Sequence, residues 1–312
     1  MNRQQDTETT PRTLDSLIKR HKLVRRFISG IATAAALVLT AYYVPPLGTL
    51  IALLAVSALA QLEFYRIMER AGMPVFRVIG LICGSALIAA TFYALGPRTA
   101  EMATAYKLEQ AVLIATLIAV FLRQFPQKHN DKPLVTIGCT LFGIWYVPFL
   151  FNFFTRLAFA WDSAVSVWRI GETGRQLIFY LVVVVKLTDT GAFFTGSLIG
   201  RHKLVPRISP KKTWEGLIGG IVAGTTAGMI FCGAAGFHFG KISILPEQAL
   251  ALGFLLSLAG TAGDLFESLL KRASGAKDSG SVIPGMGGIL DILDSLLFAA
   301  PILYIALTFF GE

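Results

Sequence analysis

Charge is scarce in this sequence. Asp, Glu, Lys and Arg make up 15% of its 312 residues, whereas soluble domains carry about 25%. Too few ionic side chains remain to coat a water-facing surface on a chain that is 54% hydrophobic, with a mean hydropathy of +0.64. A bundle of apolar helices facing lipid resolves both departures. Cysteine is nearly absent. Cys83, Cys139 and Cys232 each lie alone inside an apolar run, which argues against a disulfide framework and a thiolate metal site. The four histidines, His21, His129, His202 and His238, have no partners at ligand spacing and read as surface groups. No Gly-Lys-Ser/Thr closes a phosphate loop, and no glycine fingerprint follows a strand. Internal repeats and low-complexity tracts are also missing. The net charge of +9 does not point to nucleic acid, because Lys19, Arg20, Lys22, Arg25 and Arg26 stand directly before the first apolar run, as a membrane anchor does.

What is there, in abundance, is long apolar runs. Nine are long enough, or nearly so, to cross a bilayer as helices: 27–44, 47–65, 76–95, 108–122, 134–155, 176–200, 213–237, 247–270 and 288–310. Val44-Pro45-Pro46 separates the first two as a tight hairpin. The expected fold is therefore all-α and multi-pass. Most of the 28 Lys and Arg residues fall on the side of the N-terminus; Arg98, Lys107, Arg156, Arg169, Arg175 and Lys241 fall opposite. The positive-inside rule then predicts a cytoplasmic N-terminus. Residues 1–26 read as a basic cytosolic tail ahead of an uncleaved first span. Residues 27–175 read as scaffold helices with few ionisable groups, closed by an external loop over 156–175 with an interfacial helix carrying Trp161 and Trp168. In residues 176–312 carboxylates and lysines enter the spans themselves, and function is expected there.

An Asp at the centre of a membrane helix costs about 2.5 to 3.5 kcal/mol on insertion scales. Asp189, Glu215, Asp264, Glu267, Asp291 and Asp294 nevertheless sit in or at the edges of the last four spans. Their spacing is helical. Lys186 and Asp189 are three apart, Asp264, Glu267 and Lys271 share one face, and Asp291 and Asp294 are three apart. Acids from separate helices can converge on one pocket. Converging carboxylates repel unless a cation lies between them, and beside phosphates that cation is usually Mg²⁺. A buried ion-pair network through Lys186 or Lys271 is the plainer alternative.

Two basic loops point to phosphate. GRHKLVPRISPKKTWEG crowds Arg201, Lys203, Arg207, Lys211 and Lys212 together, and Ser209-Pro210 or Thr213 then opens a helix, whose N-terminus favours anions. KRASGAKDSGSVIPGMGGILD combines Lys271, Arg272, Lys277 and Asp278 with five glycines, at 275, 280, 285, 287 and 288, so that backbone N–H groups can approach phosphate oxygens. Gly216, Gly220, Gly224 and Gly228 form a small-residue stripe for close helix packing. Trp145 and Tyr146 read as packing or interface residues.

At these residues the sequence resembles the phosphatidate cytidylyltransferase (CDP-diacylglycerol synthase) family. The likeness runs through DTGAFFTGSLIGRHKL from Asp189, ISPKKTWEG from Ile208, and the signature Ser268-Leu-Leu-Lys271-Arg272, Lys277-Asp278, Pro284-Gly285-x-Gly287-Gly288-x-x-Asp291-x-x-Asp294. It covers about 186–298. Met286 and Ile292 stand where the family commonly has His and Arg. The resemblance implies transfer of CMP from CTP to phosphatidate, with CDP-diacylglycerol and pyrophosphate as products. It implies a magnesium enzyme and a homodimer, at the cytoplasmic face of a cell or inner membrane. It places Asp264, Asp291 and Asp294 on Mg²⁺, with room for a second cation, and makes these three with Lys271 and Asp278 the catalytic set. Asp189, Ser209, Lys211, Lys212, Arg272, Lys277, Gly287 and Gly288 are the expected substrate-binding residues. A cytidylyltransferase for another lipid phosphate, a non-catalytic paralogue, or an ion-coupled transporter with intramembrane carboxylates are the rival readings. The D-x-x-D-G-x-x-A-R pattern of CDP-alcohol phosphatidyltransferases is absent.

Overall fold

The computed structural model describes residues 46–95, 102–127, 130–162, 170–275 and 288–310. The basic tail and the first expected span lie outside these residues. Helix α1 spans Pro46–Arg70, α2 Arg77–Leu95 and α3 Met102–Gln124. Then come α4 Pro133–Ile144, a π-helical turn Trp145–Phe149 and α5 Leu150–Phe159, which together make one continuous rod. Helix α6 spans Glu172–Ile199, α7 Trp214–Ala234, α8 Pro246–Ala273 and α9 Leu290–Phe310. Eight of these rods are long and apolar enough to cross a membrane. The protein is an all-α integral membrane protein, trimmed by two short antiparallel hairpins, β1 Lys203–Val205 with β2 Ser209–Thr213 and β3 His238–Phe239 with β4 Ile242–Ser243.

The glycine stripe explains how the second half closes. Gly216, Gly220, Gly224 and Gly228 are all buried. A Cβ at Gly220 would stand 2.9 Å from both Ala192 Cβ and Thr188 O, so only glycine lets α7 lie this close to α6. Helix α9 is the central rod, with 67% of its membrane window buried against 22% for α7. It packs on α8, α5, α6 and α1. Because α6 and α8 end where α7 and α9 begin, the charged termini of all four gather at one end of the bundle.

Three expectations need correcting. The span expected at 108–122 is a full helix of 23 residues, since Met102–Lys107 and Arg123 extend it with good helix formers. The loop expected from 156 begins later: α5 runs to Phe159 and buries Arg156 in an ion pair with Glu109. Thr91 and Asn152 bond the same carboxylate, and the Arg156 guanidinium lies 4.6 Å over the Tyr106 ring. The scaffold half is thus less apolar than its composition implied. Finally, Ser209-Pro210 opens no helix. Val205 pairs with Ser209 in the β1–β2 ladder, and the helix starts only after Thr213, whose Oγ1 accepts from the Gly216 N–H at 3.1 Å.

Candidate functional site

At this gathered end lies a cavity of about 680 Å³ walled by Lys186, Asp189, Lys211, Lys212, Asp264, Asp291 and Asp294, with Phe193, Leu204 and Leu217 as apolar lining. These charged residues arrive from four elements, α6, β2, α8 and α9. Lys186 and Asp189 come from α6, a turn apart, with 3.8 Å between Nζ and Oδ2. Lys186 also reaches the Ile292 carbonyl at 3.5 Å. The β1–β2 hairpin folds over the end of α8 and delivers Lys211 and Lys212. Lys212 Nζ lies 2.7 Å from Asp264 Oδ2, and the Arg272 side chain donates to the Ile208 carbonyl at 3.3 Å, pinning the hairpin tip to α8.

Helices α8 and α9 approach through Gly263, which faces the backbone of Asp294 and Ser295. That contact sets Asp264, Glu267 and Asp294 side by side, with one oxygen of each within 4.8 Å of the others. Lys271 sits behind them, 2.5 Å from Glu267 Oε2 and 3.0 Å from Asp291 Oδ1. The other Asp291 oxygen accepts from the Gly288 N–H at 2.7 Å, so Asp291 closes the foot of α9. Asp294 Oδ1 accepts from the Ser295 N–H at 2.5 Å. Glu267 is buried, and its Oε1 has no partner among the described residues.

The expected residues therefore fall into three groups. Asp189, Lys211, Lys212, Asp264, Asp291 and Asp294 share the cavity wall. Lys271, Arg272, Ser209 and Gly288 stand around it as supports: Lys271 bridges two acids, and Ser209 lies half-buried in β2. Lys277, Asp278 and Gly287 lie outside the described residues. The tightest acid triad contains Glu267 where the motif reading had Asp291; Lys271 pairs with both acids, and Asp291 is also held by the Gly288 N–H. Glu215 is not part of the cavity; it turns outward and accepts from the His202 ring at 2.6 Å.

One contributor, Glu63 from the scaffold half, was missed, and Tyr146 packs beside the site as its packing reading expected. Glu63 on α1 is buried and accepts from the Leu290 N–H at 2.8 Å. Tyr146, in the π-turn, packs its ring 5.0 Å from Phe266 beside the acids, and its hydroxyl has no partner among the described residues. A carboxylate inside the second apolar run was the available signal for Glu63. A π-turn, common at functional sites, leaves no such signal.

Fold and site together define a multi-pass helical membrane protein with an acid- and lysine-walled cavity at one end of its bundle. The chain belongs to the cytidylyltransferase family, whose model matches residues 24–310. It is 38% identical over 175 residues to a phosphatidate cytidylyltransferase of Bacillus subtilis strain 168, covering 56% of this chain and 60% of that protein. It is 41% identical over 132 residues to one of Haemophilus influenzae, covering 41% and 44% respectively. A Staphylococcus aureus COL relative of the same name is 35% identical over 201 residues, covering 64% and 70%. The chain thus spans 44 to 70% of the length of these relatives.

Proposed function

We propose that the protein transfers CMP from CTP to phosphatidate, releasing pyrophosphate and forming CDP-diacylglycerol. The observation that carries this reading is the shared cavity wall: three lysines and four carboxylates on α6, the β1–β2 hairpin, α8 and α9, in a chain similar to named phosphatidate cytidylyltransferases. Both reactants are anions, so the catalyst's task is to cancel charge and align them.

The donor set fits Mg²⁺. The closely set carboxylates of Asp264, Glu267 and Asp294, with Asp291 on the same cavity wall as the two aspartates and a buried Glu267 Oε1 that has no partner among the described residues, match the hard-oxygen preference of that ion. Asp264, Asp291 and Asp294 would hold it, with Glu267 beside them, and when bound it would offset triphosphate charge. Lys212, now on Asp264, is placed to exchange that carboxylate for a phosphate oxygen. Lys211 and Lys186 face the same space and supply further positive charge. The nucleophile is a phosphate oxygen of the lipid, already ionised at neutral pH, so no side chain has to remove a proton. That oxygen bonds to the α-phosphorus as the bond to the β-phosphate bridging oxygen breaks, and pyrophosphate carries the electron pair away. Phe193, Leu204 and Leu217 give the cavity an apolar flank suited to the glycerol end of a lipid whose tails remain in the bilayer.

Arg201, Lys203, Arg207 and Arg272 lie at the same end of the bundle, and by the positive-inside rule this supports a cavity that faces the cytoplasm, where CTP is. The test is incorporation of radiolabelled CTP into lipid by the purified protein, given phosphatidate or an isoprenoid phosphate, with Mg²⁺ or with chelator. Label in CDP-diacylglycerol that requires phosphatidate and Mg²⁺ is the expected result. Label only with the isoprenoid acceptor, or none with either, would overturn the assignment.

A further inference from the structure

We infer that Glu63, on a scaffold helix remote from the family signature, is a positioning residue for the acids of α9. Its carboxylate lies across the N-terminus of α9. Oε2 accepts from the Leu290 N–H at 2.8 Å, across 227 residues of sequence. Leu290 immediately precedes Asp291 and is itself fully buried. The first N–H groups of a helix have no partner within it, and the helix dipole concentrates positive charge there. A buried carboxylate supplied from another helix satisfies both demands at once.

The consequence is mechanical. Asp291 leans back on the Gly288 N–H at 2.7 Å and across to Lys271 at 3.0 Å, and Asp294 follows one turn later. Both carboxylates therefore inherit the height and rotation of the first turn of α9, and Glu63 is the group that ties this turn to α1. Without it, the Leu290 N–H would be buried and unsatisfied, and the turn would fray or rotate to find an acceptor. Half of the chain that reads as inert scaffold thereby sets the geometry of the site.

The claim rests on the proposed role of Asp291 and Asp294, so the test pairs two readouts on the full-length protein in lipid nanodiscs. One is hydrogen–deuterium exchange of the segment 288–294; the other is CTP-dependent lipid cytidylylation. Glu63→Ala should speed exchange in that segment by about tenfold or more, leaving α7 protected. It should lower kcat in similar proportion while the KM for CTP holds. Glu63→Gln keeps a neutral acceptor and should restore most of both. Glu63→Asp withdraws the acceptor by one methylene and should fall between, which keeps the test decisive if the alanine variant does not fold. Wild-type exchange and wild-type kcat in Glu63→Asp would overturn the inference, as would a glutamine variant as impaired as the alanine one. Altered exchange in a protein that shows no cytidylylation even as wild type would sustain the positioning role and sink the activity instead.

Discussion

Gly263→Ala isolates the close approach of α8 and α9 on which the acid cluster depends. A Cβ built on Gly263 meets the Asp294 carbonyl oxygen within overlap distance, Asp294 C at 3.0 Å and Ser295 Cα at 3.2 Å. All three neighbours are backbone or Cα atoms of a helix, so none can rotate away. Ordinary contact begins only beyond these distances, so the two rods must part by about 1 Å locally, since close-packed interiors transmit such a displacement rather than absorb it. Overpacking of this kind costs about 1–3 kcal/mol of stability. The effect on catalysis should be larger, because Asp264 and Glu267 ride on α8 while Asp294 rides on α9, and a misplacement of about 1 Å lowers turnover by about 100-fold. The assay is kcat for CDP-diacylglycerol formation beside thermal unfolding in detergent. Gly233→Ala serves as control, because nothing lies within 4 Å of a Cβ there. Turnover within threefold of wild type (about 0.7 kcal/mol in barrier) in a folded Gly263→Ala protein would refute the reasoning.

Three further outcomes are expected. Asp291→Asn keeps an acceptor for the Gly288 N–H but loses the charge facing Lys271, so magnesium-dependent turnover should fall by about 100-fold or more while the protein still inserts and elutes as a folded species; retention of most turnover would remove Asp291 from the proposed metal set. Lys212→Met should raise the KM for CTP by about tenfold, the worth of a hydrogen bond to a charged group, as read from initial rates over a CTP series. Arg156→Met strands Glu109, whose carboxylate is 5% exposed, and should cost about 3–5 kcal/mol of stability; pairing it with Glu109→Gln should recover most of that in a thermal unfolding scan.

The spans were legible because apolar runs of membrane length have few other uses, and the Lys and Arg asymmetry grouped the basic loops. Asp264, Asp291 and Asp294 were legible for the same energetic reason: acids at helical spacing inside apolar runs demand a partner. What escaped were particular pairings between residues far apart along the chain. Glu63 meets Leu290, and Arg156 meets Glu109 across 47 residues, distances over which no periodicity speaks. Of the two helix starts left open, Thr213 is the one used; Ser209-Pro210 lies in a hairpin strand instead, because local capping chemistry alone does not separate the two. The exchange of Glu267 and Asp291 in the tightest triad was hidden because spacing gives a helix face and not the further contact, here the Gly288 N–H on Asp291, that each acid on it makes.

The central claim, that carboxylates from α8 and α9 gather a divalent ion for a nucleotide's phosphates, is tested most directly by anomalous diffraction from crystals grown with CTP and Mn²⁺ in place of Mg²⁺. The account predicts a manganese peak in contact with Asp264 and Asp294, with the triphosphate against Lys211 and Lys212. Ordered CTP with manganese elsewhere, or with Asp264 still paired to Lys212, would contradict it.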